Sequence, residues 1–349
     1  MNTRLLPLAC FALCLVTTPA RAAFTSRADT PPRKIVIGTA LVEFAGPLQQ
    51  RLQLAGGLID DAARAAAGKY PGSGLDLMVL PEFAFATGST GTAAEQAVPL
   101  AGPVLDLLGA KAREHHTWIV APMTLRETDR LSNAAVLINR AGTVAGIYRK
   151  THPICDRHGV FEGGVTPGTS YPVFATDFGK LGILICWDMN YDEAWDTFAA
   201  GGADLVALPS ASPQIIRPTS QALRHHYYVV TSTPKDNATI FDPIGRSVAQ
   251  VTVRPGVVVH QVDLAYAILH WSETLHNGHA LTDRFGGKAG YLYSDREDTG
   301  VFWSNDPRQS IGSMIRELGL REMPVQVDAM EAAAKEFNAH ARETQSLGR

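Results

Sequence analysis

The 349-residue sequence predicts an α/β layered fold, and three observations carry that reading. Short apolar runs of strand length alternate with longer helix-like stretches through the first half. From about residue 134, paired strands are joined by tight polar turns. Two runs, Asp76-Leu-Met-Val-Leu-Pro81 and Asp204-Leu-Val-Ala-Leu-Pro209, are near copies of each other and imply two sheets built on similar lines.

A polar, Pro-containing spacer over 23–33 precedes a first strand at 34–42. A helix is expected over 47–67, with Pro47 in its first turn and Gly68 as its stop; Gly56-Gly57 weakens its middle. The run 75–80 is almost continuously apolar, the pattern of a strand covered on both faces. A second helix over 104–115 leads to a strand at 117–121. Strands at 134–138 and 144–148 flank the hairpin turn Asn139-Arg-Ala-Gly142, and strands at 174–176 and 181–185 flank Asp177-Phe-Gly-Lys180. A helix over 192–200 ends at Gly201-Gly202. Strands follow at 204–209, 227–233, 238–241, 247–253 and 257–262, with Asp242-Pro-Ile-Gly245 as the last hairpin turn. Beyond Ala265 the periodicity weakens until an amphipathic segment at 311–318 and an alanine-rich helix at 327–340. The division expected is one main domain over 34–264 and an extension over 265–349, packed on the same domain or on a partner subunit.

Composition narrows the function. Lys and Arg number 31 against 34 Asp and Glu, a net charge of −3, and this near-neutral balance excludes an electrostatic nucleic-acid binder. Four cysteines in a chain this long exclude a disulfide-stapled scaffold. Two of them, Cys10 and Cys14, fall in a leader-like start: Arg4, an apolar run over 5–16 and the small-x-small site Ala20-Arg21-Ala22. The reading is a signal peptide over 1–22, export to the periplasm or medium, and no membrane anchor after cleavage. The remaining Cys155 and Cys186 are either bridged, retained for their chemistry, or small buried apolar residues.

Three short motifs stand at the ends of apolar strands: Leu80-Pro-Glu82, Tyr148-Arg-Lys150 and Ile185-Cys186-Trp-Asp188. Loops beyond strand ends are where α/β sheets place functional groups. Taken singly, Glu82 could cap a turn, Lys150 could be a solvated lysine and Cys186 a core residue. Together they supply what a thiol nucleophile needs. A base must take the thiol proton, and a desolvated glutamate serves because burial raises a carboxyl's proton affinity. An ammonium and a backbone N–H can hold the negative charge that attack develops. No metal and no cofactor is called for.

The three motifs in this order resemble the nitrilase superfamily, the carbon–nitrogen hydrolases. The resemblance runs from about Lys34 to Asp263 and includes Asn133-Ala-Ala-Val-Leu-Ile, Thr176-Asp-Phe-Gly-Lys-Leu-Gly and Gly202-Ala-Asp-Leu. It implies a four-layer α-β-β-α sandwich and a catalytic triad of Glu82 as general base, Lys150 as oxyanion stabiliser and Cys186 as nucleophile. It implies further a second glutamate, Glu162, ahead of Pro167-Gly168, with the Trp187 N–H as the other oxyanion donor and Trp187 and Tyr191 against the substrate. Cys186-Trp-Asp188 is more similar to the amidase and carbamoyl-amidase branches than to the Cys-Trp-Glu-Asn of nitrilases. The expectation is hydrolysis of a small amide or N-carbamoyl compound through a thioester, in a homodimer or larger homo-oligomer, with no Cys155–Cys186 bridge in the active protein. Nitrile hydrolysis, N-acyl transfer and a catalytically retired binding protein are the alternatives. Asp192, at a position where a proline is usual, and Arg224-His225-His226 depart from the family pattern without touching the triad.

One other set could be taken for a metal site, His270, His276, His279 and Asp283, but its spacing matches no zinc pattern. Arg284-Phe-Gly-Gly-Lys288 lacks the hydroxyl residue and preceding strand of a phosphate loop. His115-His116 is expected to serve a helix end or face solvent.

Overall fold

A computed structural model of the chain describes residues 24–85 and 92–347, the last six by backbone alone. The leader at 1–22 lies outside the described residues. Along the chain, β1 (Lys34–Leu41) is followed by α1 (Leu48–Lys69), β2 (Leu77–Val79), the short α2 (Ala93–Gln96) and β3 (Val98–Pro99). Then come α3 (Pro103–His115), β4 (Trp118–Arg126), β5 (Leu131–Ile138) and β6 (Val144–Arg149). The second half runs β7 (Val173–Ala175), β8 (Lys180–Ile183), a single 3-10 turn (Cys186–Asn190), α4 (Asp192–Ala200), β9 (Leu205–Pro209), α5 (Ile216–His225) and β10 (Tyr228–Ser232). It continues with β11 (Ala238–Phe241), β12 (Ser247–Val251) and β13 (Gly256–Asp263). The tail holds β14 (Tyr266–His270), α6 (His279–Phe285), β15 (Ala289–Ser294), β16 (Thr299–Ser304), α7 (Ile311–Glu317) and α8 (Met323–Leu347).

Two large sheets form. The first has the order β13-β1-β2-β4-β5-β6, with β3 added beside β4, and the second β12-β11-β10-β9-β8-β7. The near-copies in the sequence are β2 and β9, each paired in parallel in the middle of its own sheet. Alternate residues explain the continuous apolar strands. Ile35 and Ile37 of β1 face a core shared with Leu181, Leu205 and Val229 of the second sheet. Val36 and Ala40 face the opposite way, onto Ala55, Ile59 and Ala62 of α1 and Leu108 and Ala112 of α3. Trp195 and Phe198 of α4 and Ala222 of α5 close the outer side of the second sheet. The result is the four-layer α-β-β-α sandwich.

Helix α1 runs unbroken through Gly56-Gly57, because Gly56 is buried where a Cβ would sit against Leu107 and Lys111 of α3. Strand β8 stops at Ile183, two residues short of the sequence expectation, which frees Leu184 and Ile185 to lead into the cysteine turn. The tail is more regular than its sequence suggested. Strands β14, β16 and β15 make an antiparallel sheet with its own apolar cluster around Phe302, Leu281 and Met314. The spacer is held down rather than loose. Arg27 donates to Asp204 Oδ1 at 3.0 Å and to the Ala203 carbonyl at 2.6 Å, while Ala28 is buried in the tail's cluster. No helix among the described residues is long and apolar enough to cross a membrane.

Candidate active site

Glu82 follows β2, Lys150 follows β6, Glu162 lies in the loop beyond, and Cys186 opens the 3-10 turn after β8. The sandwich brings these four together. Lys150 Nζ donates to Glu82 Oε1 at 2.9 Å and to Glu162 Oε1 at 2.5 Å. Both Lys150 and Glu82 have side chains only 1% exposed, so the pair is desolvated. Glu82 Oε2 accepts the Ala211 N–H at 2.9 Å, and Ala211 and Ser210 both favour the ionised form of the Cys186 thiol.

The backbone is strained at each of these loops. Cys186 has φ +48°, Glu162 +39° and Phe83, next to Glu82, +58°. Non-glycine residues at positive φ cost about 1–3 kcal/mol each and persist where the surroundings over-determine them. At Cys186 the surroundings are a buried carboxylate. Asp188 accepts hydrogen bonds from the Ile185 N–H (3.1 Å), the Tyr148 hydroxyl (2.7 Å), Thr151 Oγ1 (3.0 Å) and the His152 N–H (2.8 Å). It therefore ties the cysteine turn to the segment that carries Lys150.

Electrostatics set the resting protonation. Burial first, and the Glu82 charge second, push the Cys186 thiol up to about 11, although Lys150, Ser210 and Ala211 oppose them. At neutral pH Cys186 therefore rests as a thiol. Burial alone would weaken the Lys150 ammonium's hold on its proton, but the charges of Glu82 and Glu162 outweigh it and raise its pKa. An ammonium has three N–H donors. Two are taken by the glutamates, and no other partner binds the third among the described residues.

Trp187 and Tyr191 sit at the rim, 44% and 39% exposed, and Tyr191 stacks flat on His152. Cys155 and Cys186 are both free thiols, the first exposed and the second buried. The donors of His270, His276, His279 and Asp283 are not brought together as a ligand set. Among the described residues one group of possible ligands converges, Asp60, Glu114 and His115. There the Lys111 ammonium already bonds Asp60 at 2.6 Å and Glu114 at 2.9 Å. His115 is drawn onto Asp60 of α1 at 2.6 Å rather than left at a helix end in solvent.

Sequence reasoning gave no role to Asn133, Ser210 or Ala211 and used Asp188 only as a branch marker. The signals were present. Asn133 is a lone amide in an apolar strand, and Leu208-Pro209-Ser210 copies Leu80-Pro81-Glu82, which places Ser210 and Glu82 at equivalent strand ends on either side of the thiol.

The carbon–nitrogen hydrolase family profile matches residues 42–269. The chain is 26% identical over 288 residues to human deaminated glutathione amidase, spanning 73% of this chain and 84% of that one. It is 32% identical over 151 residues to the Arabidopsis thaliana beta-ureidopropionase, covering 40% of this chain and 36% of the relative. Among solved structures it resembles Saccharomyces cerevisiae Nit3, a member of branch 10 of the nitrilase superfamily, with TM-score 0.56 at 21% identity over 69% of this chain and 93% of that one. The family's profile covers the β2, β6 and β8 strand ends that converge here, and the chain belongs to the carbon–nitrogen hydrolases of the nitrilase superfamily.

Proposed function

We propose that the protein hydrolyses the carbon–nitrogen bond of a small amide or N-carbamoyl compound through a cysteine thioester. One observation carries the reading: a buried neutral thiol on a strained turn, beside a desolvated glutamate–lysine pair that offers a base and a free ammonium donor. Glu82 takes the thiol proton as Sγ bonds to the substrate carbonyl carbon. The remaining Lys150 N–H and the Trp187 N–H hold the oxyanion. The intermediate collapses with cleavage of the C–N bond, and Glu82 passes its proton to the departing ammonia or amine. Water then gives a proton to Glu82 and its oxygen to the thioester carbon. The C–S bond breaks, the acid leaves, and the proton returns to sulfur.

The amide preference is supported by the Cys186-Trp-Asp188 sequence and by relatives named an amidase and a ureidopropionase. The leader-like start supports an exported protein, and Ile216 and Leu223, exposed on α5, support a homodimer. The test is ammonia release from a panel of amides, carbamoyl compounds and nitriles, with mass spectrometry of the trapped protein. Turnover of an amide or carbamoyl compound with an acyl adduct on Cys186, both lost in Cys186→Ala, is expected. Turnover near wild type in Cys186→Ala overturns the mechanism. Turnover of nitriles alone overturns the substrate class, and a folded, reduced protein that forms no adduct is a binding protein.

A further inference from the structure

We propose that Asn133 is the positioning residue that locks Glu82 and Glu162 into one unit with Lys150, and that it thereby assigns the proton traffic to a single oxygen of Glu82. The proposal rests on the hydrolase reading above and deepens it. Asn133 lies on β5, between β4 and β6, and is 1% exposed. Its Nδ2 donates to Glu82 Oε1 at 2.9 Å and to Glu162 Oε2 at 2.8 Å. Its backbone carbonyl accepts the Lys150 N–H at 2.8 Å. With the two bonds from Lys150 Nζ, the side chains close a ring: Glu82, Lys150, Glu162, Asn133 and back to Glu82.

The chemistry favours an amide at this corner. Two carboxylates share one ammonium, so a second tie must donate twice without changing the charge. A primary amide does this, and the two acceptors fix which way it points. Oδ1 is left buried with no hydrogen-bond partner, and such a buried unpaired acceptor is tolerated where the donor side is indispensable. Glu82 Oε1 then carries two donors, from Lys150 and Asn133. Among the described residues Oε2 carries only the Ala211 N–H. With Oε1 doubly occupied, Oε2 is the oxygen left to exchange a proton with Cys186.

The test follows Cys186 alkylation by iodoacetamide against pH, in wild type, Asn133→Asp and Asn133→Ala, with melting curves as a folding control. Asn133→Asp keeps the shape, removes the double donor and adds an acid to the cluster of Glu82, Glu162 and Lys150. The alkylation inflection should move up by about one pH unit, and the neutral-pH rate should fall at least tenfold. On any amide found to be turned over, kcat should fall about 100-fold with KM changed less than threefold. Folded variants with wild-type profiles overturn the positioning role while leaving the hydrolase reading intact; an unreactive wild-type thiol overturns the hydrolase reading itself. Should neither variant fold, wild-type protein labelled with 15N-asparagine decides. One side-chain amide must show both protons protected from exchange and shifted when Cys186 is alkylated, and absence of such an amide overturns the proposal.

Discussion

Asp188, two residues past Cys186, accepts a hydrogen bond at 2.7 Å from the hydroxyl of Tyr148, two residues ahead of Lys150. Neither residue is one of Glu82, Lys150 and Cys186, yet the bond spans the two sheets and fixes the Cys186 thiol against the Lys150 ammonium. Tyr148 is fully buried, and burial, then the Asp188 charge, hold its hydroxyl protonated as a donor.

Asp188→Ala removes an acceptor that serves four donors inside the protein. The expected loss is about 3 kcal/mol of stability, read by denaturant unfolding, because buried donors are left unpaired. Turnover should fall more than 100-fold in protein that remains folded, since the Cys186 turn loses the bond from Ile185 N that shapes it. Tyr148→Phe removes one donor only and should cost about 1 kcal/mol. Equal effects of the two substitutions would contradict the view of Asp188 as the common anchor.

The thiol's environment gives a signed prediction for reactivity. Wild-type alkylation should keep rising until the pH reaches about 11. Ser210→Ala deletes a hydroxyl that lowers the thiol's pKa, so the inflection should move to higher pH. Glu82→Gln deletes a charge that raises it, so the inflection should move lower and neutral-pH alkylation should speed up, while amide turnover falls because the base is gone. Movement of both variants in one direction would contradict the arrangement.

The parts of the site that sit in strand-end motifs were legible in the sequence, since Glu82, Lys150 and Cys186 each end an apolar run. Asn133 and Asp188 were not, because their importance lies in partners 51, 29, 40 and 37 positions away that no local pattern reveals. Ser210 differs: its kinship with Glu82 is written in the Leu-Pro copies at the ends of β2 and β9, but its effect on the thiol is not. In the fold, the tail's sheet escaped notice for a different reason. Strands β15 and β16 carry Gly290 and Gly300, where Trp303 and Tyr293 rings lie over the backbone, so aromatic side chains fill space that the apolar pattern would otherwise mark.

His260 on β13 titrates far below an ordinary histidine, at about 4, because burial and then the nearby Lys69 charge disfavour its cation. Its folded pKa lies under its unfolded value of 6.5. The unfolded chain therefore binds the extra proton first, and stability present above pH 6.5 is lost as the pH falls toward 4. After discounting for its partial exposure, about 2 kcal/mol should disappear across that window. His260→Gln should flatten this part of the stability profile, and Lys69→Met should shrink it. An unchanged acid slope in His260→Gln would place the loss elsewhere.

The spacer is predicted to matter through Arg27 rather than through its charges at large. Arg27 and Asp204 are 11% and 8% exposed, and Asp204 also holds Arg33 at 3.2 Å and the Lys180 N–H at 2.9 Å. Arg27→Ala leaves that carboxylate buried with less compensation and frees the Ala203 carbonyl, for an expected cost of about 3 kcal/mol. Arg316→Ala breaks a shorter ion pair, 2.6 Å to Asp29, but both partners are more than 60% exposed, so the loss should stay below about 0.5 kcal/mol. Because Ala28 is packed into the tail's cluster and Gly312 N donates to its carbonyl at 2.8 Å, loosening Arg27 should also speed proteolysis after residue 264 while sparing the two large sheets. Denaturant titration with limited proteolysis on both variants checks the ordering. A larger effect from Arg316→Ala would mean that distance, not burial, sets the strength of these pairs.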